Sequence, residues 1–180
     1  MAHYWLHQKG SGQFIEDILG PSLTSPKALA TILEHAPSVG TFVEIGTWGG
    51  STAAYLASRR PGLTVLSVDP FYSDKHALLW LLNRHPNMRL FMGRSEDLFT
   101  VAGEQWADMV FVDGHHTMEA VLFDLRGSAR IIRPNTSILV HDFGVPKFPG
   151  VEEGVSRFCA ESGWKLEARV NELAILRPGV

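Results

Sequence analysis

Short apolar runs alternate along this chain with stretches in which apolar residues recur every three or four positions. The runs are Thr41–Ile45, Leu63–Val68, Met88–Met92, Asp108–Val112 and Ser137–Val140. Their length and β-branched content predict strands. Between them lie helical patterns. Ser25-Pro26 reads as an N-cap followed by proline at the first helical position, and Leu29, Ile32 and Leu33 supply a buried stripe before Pro37. Ser51–Arg60 is a second helix, stopped by Pro61-Gly62, and Asp74–Arg84 and Glu96–Ala102 are two more. Thr117 caps a helix whose Met118, Val121, Leu122, Leu125 and Ile132 keep helical spacing down to Pro134, and Glu152–Glu161 is the last. At the end Trp164, Leu166, Ala168 and Val170 alternate, Asn171-Glu172 turns, and Leu173-Ala174-Ile175 follows, which predicts a hairpin. Strand–helix alternation implies right-handed crossovers. The expected fold is α/β: a Rossmann-like open sheet, mainly parallel, with a terminal antiparallel β-hairpin.

Composition narrows the field. A chain of 180 residues, 45% hydrophobic, suits one core, and its net charge of −3 lacks the clustered basic face that nucleic acid demands. The best basic cluster is Arg59-Arg60, which is enough only to solvate a helix end. Cys159 is the only cysteine, so an internal disulfide and a Cys-rich metal site are both excluded. The longest apolar stretch, Ala77–Leu82, is far below the roughly 18 residues of a membrane span, and MAHYWLHQKG is no signal peptide. A cytoplasmic protein without membrane or nucleic-acid partners is expected. Residues 1–25, broken by Gly10, Gly12 and Gly20-Pro21, are expected to form an N-terminal segment serving as lid or oligomer contact, and 26–180 the ligand-binding domain.

In open α/β sheets, ligands bind beyond the carboxyl ends of the strands. There the chain places Glu44-Ile45-Gly46, Asp69-Pro70, Gly93-Arg94-Ser95, Asp113-Gly114-His115-His116 and His141-Asp142, while the strand bodies are apolar. Five polar tips on one edge point to a site. The bend after the first strand, VEIGTWGGST, tests what it holds. A phosphate loop needs a lysine before Ser or Thr, but Gly50 precedes Ser51-Thr52. A dinucleotide fingerprint needs G-x-G-x-x-G; Gly46, Gly49 and Gly50 do not supply it, and Glu44 would repel a pyrophosphate. The carboxylate instead suits a ligand with a positively charged amino group.

The combination E-x-G-x-x-G-G-S-T with an acid ending strand 2 resembles the class I S-adenosylmethionine-dependent methyltransferases. LSVDP, MGRSEDL, VFVDGHHTMEAVLFDL and ILVHDF follow in the order of the branch containing small-molecule O-methyltransferases, over roughly residues 26–177. The resemblance implies that Glu44, Gly46, Thr47, Gly50, Ser51 and Thr52 hold the methionine end of the cofactor. Glycine permits close approach, and the helix start at Ser51 offers N–H groups to a carboxylate. The alternative is a plain strand–helix turn. Asp69, 23 residues beyond Gly46, is placed to accept the ribose hydroxyls, Pro70 or Phe71 to pack on the adenine face, and Ser95 and Glu96 to meet the adenine edge. Ser95 is equally suited to cap the next helix.

Asp113, His141 and Asp142 stand where metal-dependent members of that branch hold a divalent cation beside the acceptor oxygen. His141 departs from the pattern, since an oxygen ligand is usual there and imidazole favours transition metals over Mg²⁺. Mg²⁺, Mn²⁺ and no metal all stay open, and the alternative is a pair that shapes the pocket by hydrogen bonding. Asp113 and His116 are the catalytic candidates. His116 lies where related enzymes carry a general base, a task that suits imidazole near neutral pH, with His115 as the fallback. His35, His85 and the histidines at 3, 7 and 76 are expected at the surface, and the loop FGVPKFPGV at 143–151 beside the site. The expected activity is methyl transfer from S-adenosylmethionine to a small-molecule hydroxyl, with a homo-oligomer completing a shallow acceptor site. The rivals are a non-catalytic binder of that cofactor and a nicotinamide-dependent oxidoreductase.

Overall fold

The computed structural model describes residues 24–71 and 75–179. The expectation for 1–25 therefore falls outside the described residues through position 23, as do the side chains of 72–77. Thirteen elements follow one another. They are α1 (Pro26–His35), β1 (Gly40–Ile45), α2 (Ser51–Arg59), β2 (Leu63–Val68), α3 (Lys75–Arg84), β3 (Met88–Phe91) and α4 (Ser95–Val101), then β4 (Met109–Val112), α5 (Met118–Ile131), β5 (Ile138–Val140), α6 (Pro149–Ser162), β6 (Trp164–Val170) and β7 (Leu173–Pro178). Every expected strand and helix is present. The largest boundary differences are three residues: β7 runs on to Pro178, and α6 starts at Pro149 rather than Glu152 because proline needs no N–H partner in a first helical turn.

The seven strands run in the order β3-β2-β1-β4-β5-β7-β6. β1 pairs in parallel with both β2 and β4, and the antiparallel pair β7–β6 adds on beside β5. The hairpin thus joins the sheet through its second strand. Successive strands step outward from β1 to β3, and the chain then returns to β4. Strand order reverses between β1 and β4, which opens a crevice above their carboxyl ends. Both sheet faces are covered. Val43, Val110, Leu125 and Phe158 belong to one apolar layer, and Phe42, Leu56, Phe111 and Ile175 to the other. β4 is buried throughout, as a central strand covered on both faces must be. Among the described residues no helix is long and apolar enough to cross a membrane.

Candidate active site

A cavity of about 980 Å³ opens above the β1–β4 crevice. That is at the upper end of the roughly 300–1,000 Å³ usual for small-molecule sites, room for a nucleoside and a second reactant. The bend between β1 and α2 forms its floor. Gly46 has φ 85° and Gly50 φ 81°, left-handed values that glycine adopts without strain. A Cβ on Gly46 would lie 2.0 Å from the Asp113 carbonyl oxygen, so the bend fits flush against the tip of β4 only because that side chain is missing. Gly50 is not in the cavity wall. It turns the chain into α2, and a Cβ there would press at 3.2 Å on Leu81.

Glu44 ends β1 with 1% exposure. The Thr47 hydroxyl donates to its Oε2 at 2.6 Å and the Ser67 hydroxyl to the same oxygen at 3.0 Å. Burial pushes its pKa up to about 8, although both hydroxyls pull it down. Asp69, at the tip of β2, accepts the backbone N–H groups of Thr47 and Trp48 on Oδ2, each at 2.9 Å, and that of Phe71 on Oδ1 at 2.7 Å. Trp48 is itself left-handed (φ 51°) and 66% exposed on the rim.

On the far side of the crevice the acids and imidazoles form a chain. His141, 3% exposed, turns Nδ1 onto Asp113 Oδ1 at 3.1 Å and lies 3.5 Å from Asp142 Oδ2, with Nε2 facing Glu172 Oε1 at 3.8 Å. Burial disfavours its charge, but Asp113 and Asp142 outweigh burial and raise its pKa to about 10. Burial likewise pushes Asp113 up while His141 draws it back. The direction the geometry supports is an imidazolium held between acids. Asp142 has φ 57°, and although burial raises its carboxyl, His116 and His141 together hold it well below the usual carboxylate range. His116 Nε2 approaches Asp142 Oδ2 at 2.8 Å, and its ring stacks on Phe148 at 4.1 Å. His115, by contrast, is exposed at the rim.

Glu44, Gly46, Thr47, Ser51, Thr52, Asp69, Pro70, Ser95, Glu96, Asp113, His116, His141 and Asp142 all line this one cavity. Ser95 is not the cap of α4. Arg94 occupies that place, its N–H bonded to Asp97 Oδ2 at 2.9 Å, and Ser95 is the first helical residue. His85 departs from its expected surface place: it is 7% exposed, and burial lowers its pKa. Sequence reasoning missed Thr24, Trp48, Phe123 and Asp124 in the wall. Asp124 had a signal, an acid one residue before Leu125 within an apolar helical stripe. Thr24, whose hydroxyl lies 3.2 Å from that of Thr52, had none.

The fit to two absent groups follows from these donors. A buried carboxyl, a flush glycine bend and an acid at the next tip suit an amino-acid-bearing nucleoside. Asp113, His141 and Asp142 each present a ligand atom within 4.8 Å of the others. Two carboxylates and one imidazole fit a divalent ion of borderline character, provided His141 gives up its proton.

An open α/β sheet of this kind places its ligand site in the crevice where strand order reverses. Residues 43–143 match the family model of a methyltransferase domain, more than half of the chain. A protein of Mycobacterium sp. (strain JLS) named "Putative O-methyltransferase" is 30% identical over 119 residues, which is 63% of this chain and 53% of that protein. The chain thus spans about half the length of the curated relative it matches. Among solved structures, the O-methyltransferase NovP superposes with TM-score 0.70 at 16% identity, covering 86% of this chain and 80% of that one. CalS11, a TDP-rhamnose 3'-O-methyltransferase of calicheamicin biosynthesis, superposes with TM-score 0.64 at 17% identity, covering 85% and 76%. These two share the fold. The chain belongs to the methyltransferase domain family, of the class I S-adenosylmethionine-dependent fold.

Proposed function

We propose that the protein transfers a methyl group from S-adenosylmethionine to the hydroxyl of a small molecule. The carrying observation is that the Glu44 carboxyl, the glycine bend and Asp69 meet Asp113 and His116 in a single cavity. In this reading Glu44, with Thr47, receives the amino group of the cofactor, and the first N–H groups of α2 at Ser51 and Thr52 face its carboxylate. Asp69 takes the ribose hydroxyls on lone pairs not used by the bend, Pro70 backs the base, and Ser95 and Glu96 meet its edge. The cofactor supplies a sulfonium methyl that is open to in-line attack.

The chain's own contribution is alignment, worth at most about 7–11 kcal/mol, plus one proton transfer. Asp142 beside Nε2 favours a proton on that nitrogen and leaves the Nδ1 lone pair of His116 for the acceptor hydroxyl, while Phe148 fixes the ring plane. Such a base adds roughly 10²–10⁴-fold in rate. Asp113, His141 and Asp142 would hold a divalent ion if one is used, and it would lower the acceptor's pKa there. Without one, the imidazolium of His141 already balances the two acids. A second copy of the chain would complete the wall on the acceptor side. Calorimetry with S-adenosylhomocysteine, with and without Mg²⁺ or Mn²⁺, combined with single-turnover assays over hydroxylated acceptors, tests this function. Failure of S-adenosylhomocysteine to bind would refute it, and so would binding without turnover on any acceptor.

A further inference from the structure

One flank of the cavity is built from the first turn of α4 and the first half of α5, by Ser95, Glu96, Phe123 and Asp124. The inward stripe of α5 is apolar except for Asp124 and Ser128. Asp124 is 4% exposed and is no helix cap, since Thr117 fills that place. Burying a carboxyl without a cation is costly, and the groups that shape this one are burial, Ser95 and Glu96, with no cation among them. Ser95 of α4 draws its pKa down against the effect of burial, and a Cβ on Gly114 would come within 3.2 Å of its Oδ2, so the tip of β4 packs flush against the carboxyl. A carboxyl has about four lone-pair directions. Ser95 uses little of that accepting capacity, and Asp124 lines the cavity.

This step rests on the cofactor reading above. With the ribose at Asp69 and the amino-acid end at Glu44, the purine is directed to the α4–α5 flank. The donor group that adenine presents at its edge is its 6-amino group. We infer that Asp124 reads this amino group and makes the site selective for adenine over purines that lack it. Burial raises the Asp124 carboxyl to about 6, so above that pH it is ionised and can only accept. Glu96, exposed on the same flank, is a weaker reader because water competes for its oxygens.

The test is calorimetry on the full chain with S-adenosylhomocysteine and its 6-deamino analogue, which carries hydrogen in place of the amino group. Wild type is expected to prefer the adenine compound by about 10- to 100-fold. Asp124→Leu, with folding checked by thermal melting, should bring the two affinities within about threefold, and Asp124→Asn should fall between. A wild-type preference below about threefold overturns the inference without any variant, as does a folded Asp124→Leu or Asp124→Asn protein that keeps the full preference. If wild type binds neither compound, the cofactor reading itself fails.

Discussion

The Asp69 carboxylate receives the N–H of Thr47 at 2.9 Å, so the tip of β2 holds the bend at the tip of β1 in place. The same oxygen receives Trp48 N–H, and the two contacts tie down the segment in which Trp48 takes a left-handed conformation. Loop geometry and the proposed ribose recognition therefore depend on one side chain.

Asp69→Ala should weaken S-adenosylhomocysteine binding by at least 30-fold, or about 2 kcal/mol, the effect of losing charge-assisted hydrogen bonds. It should also lower the melting temperature, because two backbone N–H groups lose their acceptor. Calorimetry and differential scanning measure the two effects separately. An unchanged melting temperature would show that the bend holds itself.

Glu44 predicts a pH dependence with a definite sign. Its folded pKa of about 8 exceeds the ordinary 4.5, so the folded state binds a proton that the unfolded state releases between those values. The stabilisation is complete below pH ~4.5 and declines by up to ~1.4 kcal/mol per pH unit as pH rises towards 8. Glu44→Gln should flatten that decline in urea titrations between pH 5 and 8. Cofactor affinity should run the other way, strengthening as Glu44 ionises. An affinity in wild type that does not vary from pH 6 to 8 would contradict this.

His116→Ala should lower kcat by roughly 10²–10⁴-fold and leave the KM for S-adenosylmethionine within about threefold. Asp142→Asn should lower kcat less, since the base remains but its tautomer is no longer biased. Steady-state kinetics on any accepted hydroxyl compound decides this. Equal losses in KM and kcat would place His116 in binding.

Gly46→Ala is the sharpest structural prediction. The added methyl would meet the Asp113 backbone at 2.0 Å with φ at 85°, and neither backbone can yield without opening the β1–β4 crevice. A loss above about 3 kcal/mol is expected, read as a fall in urea midpoint or as insoluble expression.

The sheet was legible because the central strands β4 and β5 are short apolar runs, as parallel strands buried on both faces must be, while alternation in β6 marked the hairpin. The glycine bend and Asp69 were legible because both directly follow apolar strand runs, which sets them at the carboxyl edge of the sheet. What pattern reading could not supply was distance across the crevice. His141 and Asp142 are chain neighbours of identical apparent status, yet His141 turns inward to 3% exposure between acids while Asp142 bends left-handed towards His116. Asp124 was passed over within the α5 stripe, since its place beside Ser95 depends on how α4 packs against α5. Gly50 shows the converse: its place in the motif suggests the cavity, and the structure turns it towards Leu78 and Leu81.

Because β7 runs against its neighbour β5, the turn before it comes back to the edge where the parallel strands end. Glu172 arrives beneath His141, its carbonyl takes the Phe143 N–H at 2.9 Å, and Asn171 accepts from Lys27 of α1. The last hairpin thus acts as a foundation stone for the imidazole–carboxylate cluster at that edge. Lengthening the turn at 171–172 would disturb this support of the imidazole–carboxylate chain.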